Sequence, residues 1–166
     1  IRAARGEIIV TLDADLQNDP ADIPRLLAEM TDCDIVCGIR QDRNDSRIRL
    51  LSSRIANSVR NSLTDESITD VGCSLRAFRR ELTRDLPLFT GMHRFLPTLL
   101  RLQGGRVREI PVRHRPRLHG DSKYGIQNRL WVGMADLMAV RWMRKRWIDS
   151  SLSSEVTPNT RADRSD

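Results

Sequence analysis

The apolar positions fall into short clusters whose spacing changes along the chain. Glu7-Ile-Ile-Val-Thr-Leu12 is β-branched and apolar at nearly every position, which predicts a buried strand. Residues 20–30 predict a helix, with Asp19 as N-cap and Pro20 in the first turn, where proline is tolerated. Asp34-Ile-Val-Cys-Gly38 predicts a second strand. This strand–helix–strand order favours an α/β fold with a parallel sheet. Ile48, Leu51, Ile55, Val59 and Leu63 recur at helical spacing, Ser74–Phe78 alternates like a strand, and Arg94–Leu102 predicts a helix closed by Gly104-Gly105. Val107–Val112 predicts another strand, Arg113–Gly125 a basic loop and Ile126–Trp147 a long amphipathic helix. Residues 148–166 lack apolar periodicity and predict a disordered tail.

Composition narrows the class. With 166 residues, 39% hydrophobic and 30% charged, the chain is long enough for one domain with a core and too apolar for a wholly disordered one. No apolar run reaches the roughly 18–20 residues of a membrane-spanning helix. Cys33, Cys37 and Cys73 are odd in number and lie among apolar residues. They predict buried free thiols in a reducing compartment, since a zinc site needs a second ligand pair.

The net charge of +6 is local. Residues 101–147 carry 12 Arg/Lys against 3 Asp/Glu, whereas residues 1–100 carry 14 against 15. All but two of the basic residues in that block are arginine, whose planar fork matches phosphate and carboxylate. An anionic partner follows: nucleic acid, phospholipid or a phosphorylated small molecule.

Asp13-Ala-Asp15-Leu-Gln17 directly follows the first predicted strand. In open α/β sheets ligands bind beyond the carboxyl ends of strands. Two carboxylates spaced i and i+2 there offer hard oxygen ligands for Mg²⁺ or Mn²⁺, with Gln17 adding a neutral oxygen or a donor. The alternative is a solvated turn with Asx-type capping.

Residues 6–20, Gly-Glu-Ile-Ile-Val-Thr-Leu-Asp-Ala-Asp-Leu-Gln-Asn-Asp-Pro, resemble the metal-binding core of family 2 glycosyltransferases. The resemblance is closest to the polyprenyl-phosphate (dolichol-phosphate mannose synthase-like) subgroup. Four further segments match in order: Asp34–Arg40, Arg49-x-x-x-Ser53-x-x-x-Asn57, Asp70-x-Gly72 with Leu75–Arg79, and Arg117-x-x-Gly120-x-Ser122-Lys-Tyr-Gly125. Together they cover roughly residues 4 to 140.

The resemblance implies a partial GT-A (nucleotide-diphospho-sugar transferase) fold with a mainly parallel sheet flanked by helices. Residues 1–147 are then the C-terminal part of that domain, without the upstream β-α-β region that holds the nucleotide. The implied activity is metal-dependent, inverting transfer of a sugar from a nucleotide-diphospho-sugar donor to a polyprenyl-phosphate acceptor. Asp13, Asp15 and Gln17 are the expected Mg²⁺ or Mn²⁺ ligands. Arg40, Arg49, Ser53, Arg117, Ser122 and Lys123 are the expected phosphate ligands. Asp15 and Asp70 are the expected catalytic residues, Asp70 as base should the acceptor be a hydroxyl; an acceptor phosphate is already anionic and needs little help from a base. Arg49 and Ser53 share a helical face, which also fits an ordinary surface, and residues 113–125 also fit a flexible basic loop. His93, His114 and His119 lack ligand spacing and receive no role. The helix at 126–147 carries Leu130, Trp131, Met134, Leu137, Met138 and Trp142 with four cations near its end. It fits either a membrane-surface helix or a core helix whose last-turn cations favour its dipole. The expected location is cytoplasmic, or peripheral on the cytoplasmic membrane face. The rival classes are a basic nucleic-acid-binding module, which shows no helix-turn-helix, RRM or zinc signature, and an inactive transferase remnant acting as an interaction protein.

Overall fold

The structure, a computed structural model, describes residues 1, 3–41, 47–115 and 126–148, with side chains for all of these except residues 47–53 and 126–130. Its elements are β1 (Ile8–Thr11), α1 (Ile23–Glu29), β2 (Ile35–Arg40), α2 (Arg47–Thr64), β3 (Arg76–Arg79), α3 (Leu96–Leu102), β4 (Val107–Val112) and α4 (Ile126–Lys145), with single 3-10 turns before α1, after β3 and before α3. The predicted tail beyond residue 148 and the loop residues 116–125 lie outside the described residues.

The four strands form one sheet in the order β1-β3-β2-β4. β2 and β4 pair in parallel over their full lengths, from Ile35↔Val107 to Arg40↔Val112. β3 inserts between β1 and β2 and pairs antiparallel with both. The sheet is therefore mixed, and the expected parallel ladder between β1 and β2 does not form. Those two strands still point the same way, because each opposes β3. The carboxyl ends of β1, β2 and β4 thus share one edge, and β3 begins there.

Alternation along each strand separates two cores. On one face Val36, Leu75, Ala77, Ile110 and Val112 pack with Leu26 of α1, with Met30 at its C-terminal end and with Cys33 and Cys73. On the other, Ile9, Ile35, Cys37 and Phe78 pack with Leu96, Leu99 and Leu100 of α3 and Leu137 and Val140 of α4. The three cysteines are free and buried, and burial pushes the Cys37 thiol up to about 12. Asp19 does cap the turn at Pro20, its carboxylate accepting from Ala21 N at 3.1 Å. Gly104 ends α3 with φ +86°, a conformation glycine adopts without strain.

α2 is pinned to α3 by a buried polar cluster. Arg60 donates to Thr98 Oγ1 and pairs with Glu66 at 3.0 Å, and its guanidinium lies 5.6 Å from the Phe95 ring centre. Both charges are desolvated, so the cluster holds only while each partner is present.

Close packing at Gly38, two residues before the end of β2, makes the sheet edge sensitive. A Cβ there would lie 2.7 Å from Val112 Cγ2, 2.9 Å from Cys73 Sγ and 3.1 Å from the Leu75 carbonyl. Gly38→Ala is expected to lower unfolding stability by about 1–3 kcal/mol, read from the midpoint of a urea transition with an unchanged slope.

Candidate active site

The shared carboxyl edge gathers three segments. The first is the loop 12–19 after β1. It holds Asp13 exposed and Asp15 half-buried, and it turns through Leu16 at φ +63°, a left-handed conformation rare for a branched residue. Asp15 Oδ1 accepts from Gln17 N at 3.2 Å, which tightens the turn.

The second is the segment 70–75 leading into β3. Ser74 Oγ accepts from Asp13 N at 3.1 Å and from Asn18 Nδ2 at 2.8 Å, so one hydroxyl anchors both ends of the acidic loop. Thr11 Oγ1 donates to the Ser74 carbonyl at 3.0 Å. Four residues earlier, Asp70 faces Arg40 at the end of β2. Arg40 Nε and Nη2 each donate at 2.8 Å to separate Asp70 oxygens, and Arg40 N donates at 3.1 Å. This is a bidentate fork, nearly buried on the Asp70 side. Glu109 on β4 accepts from the N–H of Thr69 at 2.9 Å and of Asp70 at 3.3 Å, fixing the backbone that carries Asp70. Gly72 lets the fork sit close: a Cβ there would stand 2.5 Å from Arg40 Nη2.

The third is the exit from β4. His114 bridges to Asn18, and Arg115 N donates to the Gln17 carbonyl at 2.8 Å. Gln17 Nε2 makes long contacts of 3.4 Å to His114 Nε2 and to the Arg115 carbonyl. Buried Asp19 pairs with Arg115 at 2.8 Å, and Arg113 N donates to Asp22 at 2.7 Å. Two buried carboxylates thus draw a basic strand end against an acidic loop. The backbone bond from Ala21, then Arg115, hold the Asp19 carboxyl below its ordinary 3.8.

Asp13, Asp15 and Gln17 therefore share one loop, and Arg40 and Asp70 are each other's partners at the same sheet edge. Arg49 and Ser53 lie on α2, which follows β2; their side chains, and residues Arg117, Ser122 and Lys123 altogether, lie outside the described residues. Among the described residues no group of three or more His, Cys, Asp or Glu converges to hold a metal ion. Sequence reasoning missed Ser74, Asn18, Glu109 and the placement of His114 and Arg115. Their partners lie 39 to 98 residues away, and no local pattern carries such pairings.

Residues 1–86, more than half of the chain, match the profile of Glycosyl transferase family 2. The chain belongs to that family. Among curated members of similar sequence, the undecaprenyl-phosphate 4-deoxy-4-formamido-L-arabinose transferase of Edwardsiella ictaluri is 43% identical over 74% of this chain and 38% of its own length. The dodecaprenyl-phosphate galacturonate synthase of Rhizobium johnstonii is 37% identical over 87% of this chain and 44% of its own length. The chain thus spans about two fifths of these relatives. A crystal structure of glucosyl-3-phosphoglycerate synthase from Mycobacterium tuberculosis, with Mn²⁺, UDP-glucose and phosphoglyceric acid, superposes with TM-score 0.55 at 18% identity, covering 89% of this chain and 52% of that one. The likeness is one of fold, and this family 2 chain has part of the GT-A fold.

The Asp19 tether sets an acid limit on the site. A carboxylate whose folded pKa is lowered stabilises the fold above its ordinary value and loses that contribution as pH falls through the folded one. Asp19→Asn keeps a capping side chain but removes the charge facing Arg115. It is expected to lower stability at neutral pH and to flatten the acid limb below pH 3.8, measured by thermal unfolding across a pH series.

Proposed function

We propose that the protein transfers a glycosyl group from a nucleotide-diphospho-sugar to the phosphate of a polyprenyl lipid. A phosphate oxygen of the acceptor forms the new bond to the anomeric carbon as the bond to the donor diphosphate breaks. The nucleoside diphosphate leaves with the electron pair, and one displacement inverts the anomeric centre. The observation that carries this reading is the acidic loop 13–17 of a family 2 chain, clamped at the carboxyl edge of the sheet by Ser74 and by the exit of β4. The names of the relatives support the acceptor class.

The donor set fits a hard divalent cation. Asp13 and Asp15 are accessible carboxylates on a pre-formed turn, and Mg²⁺ or Mn²⁺ characteristically shares its shell between one or two carboxylates, water and substrate phosphates. Such an ion would be held by Asp13 and Asp15 with Gln17 beside them, and would supply charge neutralisation for the departing diphosphate. Gln17 holds the loop against His114 and Arg115 and so keeps the two carboxylates on the sheet edge.

Arg40 is read as a ligand of the acceptor phosphate and Asp70 as the group that aims it. Both Asp70 oxygens accept from the guanidinium, an arrangement that directs the two groups at each other and suits positioning better than proton abstraction. Arg49, Ser53, Arg117, Ser122 and Lys123 complete the phosphate-binding set on the strength of their sequence context. On this reading the protein is cytoplasmic or peripheral on the cytoplasmic face of a membrane, where a lipid-linked acceptor is reached. Among the described residues, no helix is long and apolar enough to cross one.

The test is transfer of label from a panel of nucleotide sugars into a lipid-extractable product, with protein expressed from its complete reading frame. Product is expected only with Mg²⁺ or Mn²⁺. Asp15→Asn should reduce turnover by about 100-fold or more while leaving the unfolding midpoint nearly unchanged, because the side chain is not in either core. Lipid product of undiminished yield in metal-free buffer would overturn the reading, as would no product from any donor. Ser74→Ala removes the acceptor shared by Asp13 N and Asn18 Nδ2. It should cost about 1–3 kcal/mol of stability and raise the metal concentration needed for half-maximal transfer, measured by Mn²⁺ titration.

A further inference from the structure

Residues 65–75, between α2 and β3, belong to no helix or strand. The polar backbone groups of such a segment still need partners where it packs against the fold. At residues 68–70 those partners are side chains. Asn61 Nδ2 donates to the Ile68 carbonyl at 2.9 Å, and Asn57 Nδ2 donates to the Thr69 carbonyl at 2.8 Å. From β4, the two Glu109 oxygens accept from Thr69 N at 2.9 and 3.0 Å, and Glu109 Oε1 also accepts from Asp70 N at 3.3 Å. The peptide group joining Thr69 to Asp70 is therefore gripped at its C=O by a side chain of α2 and at its N–H by a side chain of β4.

The place of this grip is informative. A tether that served stability alone could hold the segment anywhere along its length; this one holds the peptide group that carries Asp70. An aspartate side chain has only two torsions, so the position of its carboxylate follows the backbone closely. Asp70 is buried, and its oxygens take Arg40 Nε, Nη2 and backbone N. Asn57 and Asn61 stand four residues apart and so share one ridge of α2. Ser53 and Arg49 continue the same spacing toward the start of the helix. The two asparagines thus also set the register of that ridge against the Arg40–Asp70 fork.

We propose that Asn57 and Glu109 are positioning residues for the acceptor phosphate. They fix the peptide group between Thr69 and Asp70, this aims Asp70, and Asp70 holds the Arg40 guanidinium toward the acceptor. The link to the acceptor rests on the polyprenyl-phosphate reading; the link to Arg40 is measured without sugar transfer.

The test uses Asn57→Ala, Glu109→Ala and Glu109→Gln in protein expressed from its complete reading frame. Because Arg40 N donates to Asp70 Oδ2, amide exchange at Arg40 reports where the carboxylate sits. It should quicken about tenfold or more in both alanine variants, while the amides of Val36 and Ala77 in the middle of the sheet exchange as in the parent. Glu109→Gln keeps one acceptor oxygen and should restore part of the protection. In transfer assays each alanine variant should lower kcat/KM for the lipid acceptor about tenfold, with the donor KM and the Mn²⁺ midpoint unchanged. In an Asp70→Asn background the same changes should cost less than about twofold more, since they act through Asp70. Three results would overturn the proposal: unchanged exchange at Arg40 in both alanine variants, equal quickening at Val36 and Ala77, or a full further loss of acceptor kcat/KM in the Asp70→Asn background. If the parent transfers no sugar but Arg40 responds as stated, the functional reading falls and the positioning of Arg40 stands. Normal transfer with an unresponsive Arg40 does the reverse.

Discussion

A strand that runs antiparallel between two parallel strands must enter the sheet where they leave it. β3 does this between β1 and β2, and the arrangement of the site depends on it. Segment 70–75 has to arrive at the carboxyl edge, where α/β sheets bind ligands. On arrival it meets both neighbours: Ser74 takes the acidic loop after β1, and Asp70 takes Arg40 at the end of β2. With β1 and β2 as direct partners, that edge would lack the segment that now ties the two loops together.

Buried carboxylates then do the joining. Asp19 and Asp22 sit below the acidic loop and recruit Arg115 and the backbone of Arg113 from the exit of β4. Half-buried Glu109 on β4 likewise holds Thr69 and Asp70 by accepting from their N–H groups. Desolvated carboxylates are costly without partners and hold firmly with them. The inner acids thus serve the architecture, and Asp13 and Asp15 remain the more accessible pair. The strained turn at Leu16 is held from both sides, by Ser74 and by the Asn18–His114 bridge, as a non-glycine left-handed residue requires.

The basic excess also divides on inspection of the fold. Arg106, Arg108, Arg113 and Arg115 pair with Asp34, Glu29 and Asp19, so much of what reads as a polyanion-seeking block is internal neutralisation. The cations of α4 separate in the same way: Arg144 is neutralised within the fold, while Lys145 and the following Arg146 are exposed.

Local periodicity was enough to place every strand and long helix to within a few residues, because burial of one face imposes a period of two or 3.6 wherever it occurs. β4 and the start of α4 fall where the pattern puts them, and the Asp-Pro start of the α1 region is a true cap. The acidic loop was legible because its residue types, their spacing and the preceding strand are all contiguous. The direction and place of β3 were not, since alternation reports which face is buried and says nothing of the neighbour. Nor were the Arg40–Asp70 fork, the Ser74 anchor or the role of Asp19 beyond its cap, which join residues 30 to 96 positions apart. For α4 the sequence by itself determined a helix apolar around much of its circumference. Only the tertiary structure decided which side is core, because Leu137 and Val140 join one buried cluster with Phe95 and Leu99 while Trp131 and Trp142 stay 75% and 60% exposed, and burial is a property of the neighbours rather than of the residue.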